Sequence, residues 1–232
     1  MRGYLGIVPD QLPIFPLNVV AFPGMTVPLH IFEERYRAMV RHLLTVPDRK
    51  DRLFGIVAIR EGYEVGHHEA RSMYRTGCVM QLTAVEEYDD GRFDIAVVGR
   101  HRMRVLSTDT GGPFLQAEVE FLAPEGEATG PATAHEAVRA LAAFESYRGL
   151  VAALTGQEVD VGKLPRDPEL LSFALAAACP LTLAERQRLL EAATTDGRLR
   201  LLRELMQAEE QVMRTIPSLP ATDVARTSWN PN

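Results

Sequence analysis

Cysteine is nearly absent from this chain, and so are lysine and long apolar runs. The two cysteines, Cys78 and Cys179, lie far apart, each in an apolar stretch. That spacing excludes a disulfide framework and a paired-thiol metal site, and it fits a reducing, cytosolic setting. No run reaches the ~18 apolar residues of a membrane span, and the start "MRGYLGIVPDQLPIF" has no sustained apolar core followed by a small-residue cleavage site. A cytoplasmic protein without membrane contact is expected. Basic residues number 25 against 31 acidic, for a formal charge of -6 and a pI near 5.6. That balance offers no global field for a polyanion, so nucleic acid is not the expected partner.

The motifs of common enzymes are missing as well. In "GQEVDVGKL" five residues separate Gly156 from Gly162, and Leu164 stands where a phosphate-binding loop needs a metal-binding hydroxyl. His68-Glu69 is followed by Ser72, and His135-Glu136 by Arg139, where a zinc protease needs a second histidine. The neighbours His67, His68 and Glu69 read as a surface loop, since adjacent residues do not converge on one ion without a third ligand from elsewhere. No Gly-x-Ser-x-Gly elbow is present. Neither lysine, Lys50 or Lys163, lies near a serine in a recognisable nucleophile motif. No catalytic residue, metal or cofactor is therefore expected.

The chain does contain two stretches of different character, meeting near residue 123. Before it come short runs rich in Val, Ile and Phe: "RLFGIVAIRE" (52–61), "GCVMQLTAVEEY" (77–88), "RFDIAVVG" (92–99), "RMRVLS" (102–107) and "FLQAEVEFL" (114–122). These read as strands. Asp90-Gly91 is placed at a hairpin tip, where a type I′ turn needs positive φ at both central residues. One helix interrupts them: "FEERYRAMVRHLL" (32–44) sets Tyr36, Met39, Val40 and Leu43 on a single stripe, with Glu33 and Glu34 in the first turn. Residues 123–134 read as a linker poor in large apolar side chains.

Beyond the linker, helical periodicity takes over in 135–154, 167–178, 183–193 and 197–216. Thr182 and Glu185 form a capping box, and Asp167-Pro168 an N-cap and first-turn pair. Residues 217–232 have three prolines and no period, which predicts a mobile tail. The expected division is thus 1–123, 124–216 and 217–232.

One basic stretch stands out within "GRHRMRV". Alternation along a strand puts Arg100, Arg102 and Arg104 on one face, where they could meet an anionic partner. The plainer reading is a solvated face bridged to carboxylates such as Glu86, Glu87 or Asp94.

"LPIFPLNVVAFPGMTVPLHIFEERYRAMV" (12–40), together with "FGIV", "GCVMQL", "VVGRHRMRV" and the late segment beginning "LLSFALAAACPLTLAERQ", closely resembles the N-terminal domain of the Lon proteases, over roughly residues 11 to 215. The resemblance implies an α+β fold: a PUA-like, mostly antiparallel pseudo-β-barrel with one helix, followed by an α-helical bundle. It also implies recognition of protein substrates, in a stand-alone member without the ATPase and peptidase modules.

The function expected from this is a non-catalytic polypeptide-binding or adaptor module for unfolded or exposed hydrophobic segments. Phe22, Pro23 and Met25, with Tyr36 and Met39 beside them, are the candidate patch, because methionine adapts its shape and aromatics supply area. A PUA-like RNA-binding role through the arginine stripe is one alternative. Another is assembly, either with a separate ATP-dependent protease or as a homo-oligomer through the C-terminal helices, using the stripe Leu199, Leu202, Met206 and Met213. The prolines of "FPLNVVAFPGMTVPLHIF" (15–32) fit two short strands at a barrel edge, 12–15 and 26–31, where a missing ladder donor does no harm.

Overall fold

The computed structural model describes residues 11–60, 73–122, 130–156 and 161–215. His67, His68, Glu69, most of the expected linker and the expected tail lie outside them. The described residues form two units: one holds Gln11–Ala21 and Thr26–Leu122, the other holds Phe22–Met25 and the four C-terminal helices.

The first unit is built from strands β1 (Gln11–Leu17), β2 (Thr26–Ile31), β3 (Leu53–Ala58), β4 (Thr76–Glu87), β5 (Phe93–Asp109) and β6 (Gln116–Phe121), with helix α1 (Glu34–Thr45) and a short 3-10 turn at Arg49–Asp51. β5 pairs with β4 and β6, β6 with β1, β1 in parallel with β3, and β3 with β4, which closes a ring. β2 attaches outside it, along the first half of β5. Closure depends on the length of β5. The spacing predicts two strands, at 92–99 and 102–107, but the structure has one of 17 residues.

A bulge lies between them, because Gly99 pairs with Met80 and His101 with Val79, leaving Arg100 as the extra residue. An extra residue switches the apolar set from one sheet face to the other. Phe93, Ile95 and Val97 are therefore buried before the bulge, while Met103 and Val105 join Leu12, Ile14, Val57, Val79, Ala117 and Val119 in the barrel core after it.

The prolines of β1 do not mark an edge strand, since β1 lies between β3 and β6. Ile14 N–H donates to the Leu115 carbonyl on the β6 side, and Leu17 C=O accepts from Ile59 N–H on the β3 side. Alternation then turns the Pro13 nitrogen to the first position of the β3 ladder and the Pro16 nitrogen past the end of the β6 ladder. Among the described strands β2 is the one paired along a single side throughout, and it carries Pro28.

The hairpin at 88–92 also differs from expectation. Gly91 N–H donates to the Tyr88 carbonyl and Tyr88 N–H to that of Arg92, so the loop has three residues, closed by Gly91 at φ 79°. Asp89 and Asp90 occupy the centre of a type I turn, followed by a left-handed glycine, in place of the expected type I′ turn.

The second unit comprises α2 (Pro131–Thr155), α3 (Pro168–Ala178), α4 (Leu183–Glu191) and α5 (Thr195–Thr215). Both predicted N-termini form: the Asp167 side chain accepts from Leu170 N–H, and Thr182 and Glu185 make the reciprocal capping box. Arg198 is fully buried at the centre. Its guanidinium donates to the carbonyls of Leu189 and Ala192 and to the Ser172 hydroxyl, with its carbon 3.9 Å from the Phe173 ring centroid. The side chain thereby supplies donors to the carbonyls at the end of α4, which no helical N–H reaches. Altogether the chain is α+β, with a six-stranded, mostly antiparallel sheet and five α-helices among the described residues. No described helix is long and apolar enough to cross a membrane.

Candidate functional site

The expected apolar patch is not on the surface. Phe22 is fully buried, its ring 6.2 Å from that of Phe173 and 5.3 Å from the Arg186 guanidinium carbon. Pro23 is buried beside it, and Met25 is half-buried. Phe22–Met25 form a turn in which Met25 N–H donates to the Phe22 carbonyl and Gly24 takes φ 80°. Proline then glycine at these positions is a type II turn. That turn aims the phenylalanine into the helical unit. Tyr36 and Met39 are buried too, with the Tyr36 ring 4.0 Å from that of Phe15, as a stripe at helical spacing that packs inward requires. The stripe Leu199, Leu202, Met206 and Met213 is likewise buried within the chain, with α5 packed against α2 and α3.

Nor do the arginines form one solvated face, because Arg102 is buried and the bulge interrupts the alternation at Arg100. Arg100 donates to Gln81 at 2.7 Å and Arg104 to Glu120 at 3.0 Å, so their partners are not the expected Glu86, Glu87 or Asp94.

An amphipathic surface appears elsewhere, on the ribbon formed by β2, β5 and β4. Alternation along β2 turns Val27, Leu29 and Ile31 into the core and places Thr26, Pro28 and His30 on the outward face, with Phe32 next in phase. The registers align Pro28 with Ala96 and Ala84, and His30 with Asp94 and Glu86. Phe32 is 43% exposed and Tyr88 38% exposed. An antiparallel sheet with one solvated face normally alternates apolar with polar residues. Here the outward positions include Pro28, Phe32, Ala84, Tyr88 and Ala96.

The polar members of this face are tied to one another. His30 Nδ1 lies 2.6 Å from Asp94 Oδ1, the Tyr88 hydroxyl donates to Asp94 Oδ2 at 2.6 Å, and Arg92 approaches His30 Nε2 at 3.4 Å. Because Arg92 can only donate, Nε2 accepts and Nδ1 carries the proton given to Asp94. The Tyr88 hydroxyl first, then His30, holds the Asp94 carboxyl below its ordinary range. The same bond to Asp94 raises the Tyr88 phenol above its own. The His30 and Phe32 rings stack at 6.2 Å, and Tyr88 meets His30 edge-on at 6.2 Å. The His30–Asp94 pair has the outline of two-thirds of a catalytic triad, but its far nitrogen faces a guanidinium where a triad needs a nucleophile. What this arrangement offers is fixed aromatic area, with polar groups already satisfied and able to shelter an apolar ligand.

Sequence reasoning missed Phe32, His30 and Tyr88. A period of two from Thr26 to Phe32 was the available signal, and it was masked by the apolar density of the whole run. Among the described residues, no three of His, Cys, Asp and Glu come together as metal ligands would.

The model of the ATP-dependent protease La (LON) substrate-binding domain family matches residues 11–208. The chain belongs to that family. Lon protease 2 of Herpetosiphon aurantiacus is 27% identical over 207 residues, covering 88% of this chain and 24% of that protein. Lon protease of Escherichia coli K12 is 26% identical over 206 residues, covering 88% and 25%. The chain thus spans about a quarter of the length of these curated relatives.

Among solved structures, a Lon N-terminal domain protein from Xanthomonas campestris matches with TM-score 0.56 and 23% identity, over 83% of this chain and 96% of that one. The N-terminal domain of Lon protease from the Mycobacterium avium complex matches with TM-score 0.59 and 23% identity, over 85% and 98%. Both show the same fold.

Proposed function

We propose that this chain is a non-catalytic polypeptide-recognition module, which docks exposed apolar segments of unfolded proteins on the outward face of the β2–β5–β4 ribbon. The observation that carries this reading is the apolar outward row ending in exposed Phe32 and Tyr88, with the polar groups between them paired among themselves. Rigid aromatics at a surface give large contact area at little conformational cost, which suits sequence-tolerant binding of extended chains. Membership of a family described as substrate-binding supports the same direction. Delivery of the bound segment to an ATP-dependent protease is part of the proposal, because the curated relatives that contain this domain are Lon proteases.

The test is binding of reduced, carboxymethylated α-lactalbumin, a permanently unfolded probe. Replacing Phe32 and Tyr88 together by Ser is expected to weaken it about tenfold, the loss of roughly 1.4 kcal/mol of contact. The melting temperature should change little, since both side chains are exposed. Undiminished binding by the double variant overturns the reading.

A further inference from the structure

Resting on that reading, we infer that the free edge of β4 at Thr83–Glu87 is a second element of the recognition surface, which takes up an extended, carboxylate-bearing segment of the bound polypeptide as an added strand. β3 pairs with β4 only as far as Leu53 opposite Gln81, and Leu82 N–H makes the last bond to this side, to the Arg52 carbonyl. β4 continues to Glu87 with β5 alone beside it among the described residues.

Tyr88 N–H donates to the Arg92 carbonyl, so Tyr88, Glu86 and Ala84 face β5 in the antiparallel alternation. The N–H and C=O of Val85 and Glu87 consequently point to the vacant side. The contrast with β2 is informative. By the same alternation its outward-pointing backbone groups are those of Thr26, Pro28 and His30, and proline blocks the row by removing a donor at its centre. Among the described residues no proline interrupts the β4 edge from Thr83 to Glu87.

The space along that edge is a cleft of about 500 Å³, bounded by Leu44 at the end of α1, by Arg49 and Arg52, and by Leu82 to Val85 and Glu87. It occupies the track that β3 would fill if it began before Leu53. The Arg52 guanidinium is held by the carbonyls of Val46 and Leu44, at 3.0 and 3.5 Å. Neither Arg49 nor Arg52 has a carboxylate partner among the described residues, although acidic residues outnumber basic ones in the chain as a whole. Two guanidiniums without an ion-pair partner stand at the Leu82 end of an open strand edge, with Glu87 at its other end and Leu44 and Val85 on the inner side, which matches a strand that places a carboxylate against the arginines and an apolar side chain between the leucine and the valine.

The experiment uses the full chain and a short fluorescein-labelled peptide of alternating valine and aspartate, read by anisotropy. Binding is expected to fall about tenfold when alternate amides along one edge of the peptide are N-methylated, and to persist when the other edge is methylated. Arg49→Glu should weaken the peptide by a similar factor and improve binding of its valine-lysine counterpart, a charge reversal that a folding defect would not produce. Val85→Pro should act as edge methylation does.

The inference is overturned if the wild type does not bind the peptide, or if methylation or Arg49→Glu changes nothing. It is also overturned if Phe32→Ser with Tyr88→Ser removes peptide binding as fully as Arg49→Glu does, which would put the peptide on the outward face. A self-association that competes with the peptide and vanishes in Arg49→Glu would make the occupant a second copy, and would overturn it too. Retained α-lactalbumin binding beside an inert β4 edge leaves the outward-face reading standing. A working edge with no α-lactalbumin binding removes that reading alone.

Discussion

The two units bury polar groups in opposite ways. In the strand unit, pairing around the ring satisfies most of the strand backbone, and apolar side chains such as Leu12, Ile14, Val79 and Met103 pack together inside it. Glycine stands where another backbone comes close: a Cβ on Gly77 would run into the Ile56 carbonyl oxygen. In the helical unit each helix satisfies its own middle and leaves its ends bare. Arg198 and Arg186 answer that deficit, the first on the Leu189 and Ala192 carbonyls and the second on those of Ala177 and Cys179. The lesson is that the strand unit should be intolerant of added bulk, and the helical unit intolerant of a lost donor.

The largest effect expected is from Arg198→Met. It keeps much of the volume but strips the donors from two carbonyls and the Ser172 hydroxyl, at a cost of about 3–5 kcal/mol in denaturant unfolding. A cost below about 1 kcal/mol, the scale of a single ordinary hydrogen bond, would break the contrast. Next comes Gly77→Ala, a change of one methyl group in the other unit. Because the obstacle is backbone, where a flexible side-chain tip could have yielded, a cost of about 2–3 kcal/mol is expected. A neutral result would show that the barrel wall can give.

Thr182→Ala removes the side-chain half of the capping box and should cost ~1 kcal/mol, with Thr182→Ser restoring it. The smallest effect concerns pH. Asp94 titrates below its usual range in the folded chain, so its contribution is present above the unfolded carboxylate's range and is lost as the pH falls through the depressed value. Tyr88→Phe removes the largest cause and should move the Asp94 midpoint upward in an NMR titration. An unchanged midpoint would mean that Tyr88 does not hold the carboxylate.

Much of the fold was legible in the residues because its signals are local. Periods of two and of 3.6, the Thr182–Glu185 box and the Asp167-Pro168 start depend only on near neighbours, and each forms. The site was less legible. The Pro23-Gly24 pair marks Phe22 to Met25 as a turn, yet it gives no sign that Phe173 and Arg186 cover the ring. The apolar stripes of α1 and α5 were readable as stripes, but an inward-facing stripe and one awaiting a partner have the same period.

By itself, then, the sequence determined most of the residues that form strands and helices, the helix starts at Asp167 and Thr182, and the family to which the chain belongs. Only the tertiary structure decided what each face meets. The bulge at Arg100 breaks the arginine stripe, the burial of Phe22 empties the expected patch, and the late start of β3 leaves the β4 edge free. The physical reason is the same in each case. Periodicity says which side chains share a face, whereas cover, register and the reach of a neighbouring strand come from contacts between residues far apart in the chain.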